Sequence, residues 1–357
     1  MRTHPRHDAG APRDAAAPWP FELTVEPIPR MLNCELADDP TYDGVELQWF
    51  DDALRGRGML VFLSRRADRT VDYYPQRGLA VDPTGYELGA GSGAWTPTDF
   101  DAARLEIAAD GVDAEARFTD VEGRPIEIRV DDRDGRRRRR ARLLAPVSSS
   151  IDHPTALLVV WLHGFDLVRA SGKAPLIRIA GRDARIGALP AGALHRRRLV
   201  KYAGPLCTVR LNPEHDGPLR TSGWDTPDHM RVEQGGHSAL LTLDPAFSDL
   251  RTLPDTAERS GGWRIDVDGA AVTGGTWWVR RTGEAANLGL DVERPWQPGP
   301  LPPLMRVVTR ALPVFRQWPT TYRWRASLSL GPDARMTSGW ERTDTTGGRA
   351  YRRATGS

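Results

Sequence analysis

The chain reads as a mainly β protein: two antiparallel β-barrel or β-sandwich parts of similar size, in a tandem lipocalin-like arrangement, with few helices. Three observations predict this. Residues 155–165 form the longest near-continuous apolar run, near the middle of the 357 residues and closed by Gly164. A Leu/Val-rich run of that length reads as a strand buried on both faces. Residues 104–130 alternate apolar and polar with period two through three consecutive runs. Short alternating segments joined by Gly and Asp turns continue on either side, the pattern of an all-β domain.

Length and composition bound the rest. A chain of 357 residues holds one large or two medium cores. A texture change past Leu211 divides it into a disordered tail (1–20), a first β domain (21–212), a long polar loop or linker (213–237), a second β domain (238–342) and a disordered tail (343–357). A formal net charge of +2 provides no global field for nucleic acid or an acidic partner. Cys34 and Cys207 lack metal-ligand spacing and read as buried thiols, which suits a reducing cytoplasm. Residues 1–20 contain no secretory apolar core, and no run approaches the roughly twenty apolar residues of a membrane span. A soluble cytoplasmic protein is the expectation.

Taken in order, residues 21–29 suggest an edge strand or wrapping arm interrupted by Pro27 and Pro29. Residues 45–50, 58–64 and 70–74 are strand-like, the last ended by Pro75. The glycine run at 89–93 follows no clear strand and opens no helix, so it is read as a tight loop and not a phosphate cradle. Within 104–130 the apolar positions are Leu105, Ile107 and Ala109, then Val112, Ala114, Ala116 and Phe118, then Ile126, Ile128 and Val130. Asp110-Gly111 and Glu122-Gly123 join them, predicting an antiparallel meander with one face in water. Five consecutive arginines, 136–140, follow acidic residues and carry no interleaved aromatics, so a solvated hairpin tip is expected in preference to a phosphate site.

After the central run, residues 165–168 and 175–180 read as a hairpin around Ser171-Gly172, and 199–203 and 207–211 as further strands. Residues 212–237 have no periodicity, and a loop of that length in a compact domain tends to be functional or a linker. Strands resume at 238–243, 262–267, 275–280, 286–292 and 321–330. Residues 302–312 are the one helix candidate, opened by prolines, with Leu304, Val308, Ala311 and Phe315 on its apolar face.

The central run also resembles the oxyanion-hole strand of the α/β-hydrolases, which ends in His-Gly, and Gly236-His-Ser-Ala-Leu240 resembles the first half of their nucleophile elbow. The resemblance fails on three counts. Leu240 stands where the elbow needs glycine, residues 239–245 read as a strand, and no histidine follows His237 to serve as the base. Ser238 is therefore read as structural.

The candidate site residues come from two features. Only Lys173 and Lys201 interrupt an otherwise all-arginine set of cations; Lys201 beside Tyr202 reads as an acid or proton shuttle, with His215 and Asp216 as an oriented general base. Trp161, His163, Trp277 and Trp324 are candidate ligand-contacting residues, because large aromatics line concave sites, although filling a β core is their ordinary use. No cofactor is expected. Should a metal bind, His215, His229 and His237 are the expected ligands, converging on the 212–237 loop.

The leading functional expectation is a protein that encloses a small, largely apolar molecule and performs cofactor-independent acid/base chemistry of the isomerase or hydratase type. The alternatives are a non-catalytic carbohydrate- or protein-binding module, and a metal-dependent enzyme. Nucleic acid is not an expected partner, and oligomeric state is not legible.

Overall fold

The computed structural model describes residues 18–83, 86, 92–145, 154–170, 173–189, 195–221, 228–296, 301, 303–311, 315 and 318–343. With 61% of residues in strands and 3% in helix, the chain is mainly β. The strands are β1 (Leu23–Ile28), β2 (Arg30–Glu35), β3 (Tyr42–Asp52), β4 (Gly56–Arg65), β5 (Val71–Pro75), β6 (Ser92–Trp95), β7 (Ala102–Ala108) and β8 (Gly111–Thr119). There follow β9 (Pro125–Asp131), β10 (Ala141–Ala145), β11 (Leu157–Arg169), β12 (Leu176–Ile179), β13 (Arg182–Asp183), β14 (Arg197–Ala203), β15 (Leu206–Leu211) and β16 (His215–Pro218). The last are β17 (His229–Gln234), β18 (His237–Asp244), β19 (Glu258–Val267), β20 (Ala270–Thr282) and β21 (Ala285–Arg294), then the helix α1 (Pro303–Ala311), β22 (Tyr322–Ser329) and β23 (Arg335–Arg342).

The central apolar run is β11, and its neighbours are antiparallel, as its buried composition requires. β15 pairs with its first half and β14 with its second, in one unbroken register from Leu157 to Leu167. β1 and β2 run outside β15 and β14 in the same manner. The result is a three-stranded ribbon whose strands all break along one line: at Pro29, at Gly204-Pro205 and at Gly164. Gly164 is needed there. Its φ is +61°, and a Cβ would stand 2.7 Å from the Gly204 carbonyl oxygen.

The ribbon is shared between two curled half-barrel sheets. Past the break, β14 and β2 lead into β3, β4, β5 and β6, completing a ten-stranded sheet in which β10 pairs with β11 off the main path. The five-stranded sheet β13-β12-β9-β8-β7 lays its apolar face on β2–β5 and encloses one core. The predicted meander is its centre: Leu105, Val112, Ala114, Ala116, Phe118, Ile126, Ile128 and Val130 are all buried. The eight-stranded sheet β16-β23-β22-β21-β20-β19-β18-β17 encloses the other core with β1, β15 and the first half of β11. Each large apolar side chain buried this way contributes about 1.5–3 kcal/mol. The ten-stranded and eight-stranded sheets are pinned closely: β1 packs on β17 and β18, and a Cβ on Gly235, whose φ is +56°, would meet Pro27 at 2.5 Å.

Several expectations are corrected. Residues 165–168 form no hairpin with 175–180; they continue β11, while Ile177 and Ile179 carry β12 onto β9, where they extend the meander's apolar face. Ser171-Gly172 lies outside the described residues. The 212–237 stretch contains β16 and β17, whose pairing comes from β23 and β18 and not from internal periodicity. Order begins before Pro20: Trp19 is buried against Phe21 and Phe247. Among the described residues one strand pair, β5 with β6, is parallel; of the 89–93 glycine run, 89–91 lies outside the described residues. The arginine run is not uniformly solvated: Arg138 is fully buried on Asp132 and 3.3 Å from Tyr202 Oη, while Arg136, Arg137 and Arg139 are exposed. Helix α1 lies within the expected residues; of its described side chains Met305 and Thr309 are buried and Ala311 is exposed, while the side chains of Leu304 and Val308 lie outside the described ones. Among the described residues, no helix is long and apolar enough to cross a membrane.

Candidate active site

Three side chains from distant parts of the chain meet where the ribbon breaks. His163 is the last residue of β11 before the Gly164 bend, its backbone held by Pro205 O (3.0 Å) and Gly204 N (3.2 Å). His237 opens β18, immediately after the tight Gly235-Gly236 turn of the β17–β18 hairpin. Asp268 occupies the first corner of the β19–β20 hairpin, with φ of 48° followed by Gly269 at 74°. Two successive positive φ values make a type I′ turn, for which Asp-Gly is a preferred pair.

The Asp268 carboxylate joins the three elements. Its Oδ2 lies 2.6 Å from His163 Nε2 and 2.9 Å from His237 Nδ1. Its Oδ1 accepts the Ser238 backbone N–H at 2.8 Å, and the Asp268 N–H donates back to Ser238 O at 2.9 Å. Burial by itself would raise the carboxyl's pKa. The hydrogen bonds from His237, Ser238 N–H and His163 outweigh it and hold Asp268 below the usual carboxylate range. With both contacting nitrogens donating, His163 Nδ1 and His237 Nε2 carry the lone pairs, and among the described residues neither has a protein partner. The two rings stand 5.4 Å apart. Trp161, two residues before His163 and so on the same face of β11, packs edge-on against it at 5.7 Å. Opposite Trp161, Cys207 is no rival nucleophile: burial, then the nearby Asp268 charge, push its thiol up to about 12.

Of the residues singled out from sequence, the structure brings together His163, Trp161 and His237. It separates the others. Lys201 and Tyr202 are strand neighbours and point to opposite faces. Lys201 Nζ pairs with Glu35 at 2.8 Å on the surface, whereas Tyr202 is fully buried between Arg138 and Asp166, each 3.3 Å from its hydroxyl. Burial pushes that phenol up to about 12, unsuited to proton transfer near neutrality. His215 and Asp216 likewise diverge: His215 contacts Pro218 O, and Asp216 accepts from Thr337. The metal trio His215, His229 and His237 does not assemble. His215 lies on one edge strand of the eight-stranded sheet and His229 on the other. His229 also sits at the opposite end of the β17–β18 hairpin from His237, about 15 Å or more along the strand. Trp277 and Trp324 are 1% and 0% exposed, core residues of the second half and not an exposed rim.

Asp268 was not singled out by sequence reasoning. The legible signal was Asp-Gly between two alternating runs, which marks the turn. Nothing local marks the side chain's role, since its partners lie 31 and 105 residues away. Compared with known proteins, the chain matches no family model, no curated protein and no solved structure.

Proposed function

We propose that the protein encloses a small, largely apolar molecule in its second half and performs acid/base chemistry on it, of the isomerisation or hydration type, without a redox cofactor. The observation that supports this reading is the single carboxylate shared by two imidazoles at the margin of an apolar core. Asp268 fixes the tautomer of each ring and stabilises whichever becomes imidazolium, leaving one basic nitrogen on each ring. Two such groups suit a reaction in which a proton is taken at one atom and returned at another. The pairing of two curled half-barrels favours a tandem lipocalin-like description. Two buried free thiols favour a reducing cytoplasm. Near-neutral charge disfavours nucleic acid.

The test begins with mass spectrometry of an organic extract from protein purified from its own host. The bound molecule is then incubated with protein in D2O. Wild type should exchange protons of that molecule with solvent, and Asp268→Asn should do so at least about a hundredfold more slowly. Equal exchange by both proteins would refute the assignment.

A second reading uses the same atoms. His163, His237 and Asp268 each bring one ligand atom within 4.8 Å of the others, and two imidazoles with one carboxylate suit zinc, iron or manganese. About one equivalent of metal found by elemental analysis, and lost in Asp268→Asn, would put this reading in place of the first.

A further inference from the structure

The core behind the candidate site contains an unusual set of unpaired donors. Among the described residues the indole N–H groups of Trp19, Trp161, Trp277, Trp318 and Trp324 are buried without a hydrogen-bond partner, and each residue is at most 5% exposed. All five belong to one core cluster. The fold pairs indoles in this region where it can: Trp263 donates to Asp291 O at 3.2 Å and Trp340 to Asn212 O at 2.9 Å. Asn212 repeats the imbalance, since its Oδ1 accepts from Glu22 N while its amide nitrogen is unpaired. Aromatic contacts bind three of these indoles into one wall, through Trp19–Phe247 (6.0 Å), Phe247–Trp277 (5.5 Å) and Phe21–Trp324 (5.8 Å).

Folded proteins keep few buried polar groups unpaired, so a cluster of this kind calls for an occupant. Its chemistry follows from the sign of the imbalance. The orphans of this core are N–H donors, with the hydroxyls of Tyr86 and Ser338 able to donate as well. Among the described side chains the one orphaned obligate acceptor, Gln48 Oε1, lies outside the cluster. Water would accept from an indole but bring two donors of its own, for which no orphaned side-chain acceptor of this cluster waits. A ketone, ester or ether oxygen accepts and brings none.

We infer that the second half binds an apolar molecule that is rich in acceptor oxygens and poor in donors, held by the indole N–H groups of Trp161, Trp277 and Trp324. The inference rests on the proposed reading of this core as an enclosing one, though not on its acid/base chemistry. It also puts an acceptor oxygen at Trp161, beside the His163 ring.

The experiment uses the full chain and a panel of ketones of about ten to twenty carbons, β-ionone among them, against the matching alcohols and hydrocarbons. Binding is read by tryptophan fluorescence and by the indole N–H cross-peaks in 15N-labelled protein. Ketones should bind at least about tenfold more tightly than their hydrocarbons. They should shift indole N–H signals downfield, and Trp277→Phe and Trp324→Phe should each weaken ketone binding several-fold while leaving hydrocarbon binding unchanged. Ketones binding no better than hydrocarbons, no member of the panel binding, or indole protons in contact with buried water would each overturn the inference. Asp268→Asn separates the two proposals. Ketone binding that survives in this variant, with proton exchange equal to wild type, leaves the ligand class standing and removes the acid/base reading.

Discussion

Asp268 Oδ2 lies 2.6 Å from His163 Nε2, so a hairpin corner in the second half is hydrogen-bonded to the bend of β11 across 105 residues. The same oxygen holds His237 at 2.9 Å. Asp268→Asn preserves the shape and the Oδ1 acceptor for Ser238, but turns an amide N–H2 toward two ring N–H groups. Both imidazoles must then change tautomer or lose the bond. Beyond its effect on exchange, the variant should lose about 2–4 kcal/mol of unfolding free energy, measured by urea titration. A loss within error would mean that the contacts are not coupled to stability.

The same carboxylate sets an acid dependence. Its folded pKa is depressed below its unfolded value, so its stabilisation is fully present above the unfolded value and is lost as pH falls through the folded one. The stability difference between wild type and Asp268→Asn should shrink as pH falls below about 4. Urea titrations across that range measure it, and a difference that grows on acidification would contradict the sign.

Gly164 is where the central strand bends toward the site. Alanine there meets both a left-handed backbone and the Gly204 carbonyl at 2.7 Å. Gly164→Ala should cost about 2–4 kcal/mol, from the backbone penalty plus overpacking. Since His163 is the preceding residue, its bond to Asp268 should loosen as well, visible as a shifted ring signal in NMR spectra.

Lys201 and Tyr202 have structural roles, and their variants should behave accordingly. Lys201→Ala removes a surface ion pair to Glu35 and should change stability by no more than about 0.5 kcal/mol. Tyr202→Phe removes a buried hydroxyl and should cost about 1 kcal/mol. Neither should alter proton exchange of the bound molecule; a hundredfold loss in either would move the chemistry to β14.

Within the five-arginine run, position alone separates the outcomes. Arg138→Leu leaves Asp132 buried without its partner and should cost about 3–5 kcal/mol. Arg136→Gln, in solvent, should stay within about 0.5 kcal/mol. Thermal or urea unfolding of the pair checks both.

Much of the fold was legible because burial writes itself locally. Leu105 through Val130 alternate because one face of their sheet touches the core, and every inward position predicted from the period of two is buried save half-buried Ile107 and exposed Ala109, which lies at the turn where the sheet ends. The double-sided burial of β11 is likewise a property of one run of residues. Failures began where a strand's partner was in question. Residues 175–180 looked like the partner of 165–168 because they follow it, yet β12 pairs with β9. His215 and Asp216 looked like a dyad because they adjoin, although adjacent strand residues face apart.

By itself, then, the sequence determined the class of structure: short strands of period two, one brief helix, and a doubly buried strand at the centre. Tertiary structure alone decided the site. His163, His237 and Asp268 converge because a strand bend, a hairpin start and a hairpin corner happen to meet. That meeting is set by long-range strand pairing and by the approach of Gly235 to Pro27, quantities that no local periodicity encodes.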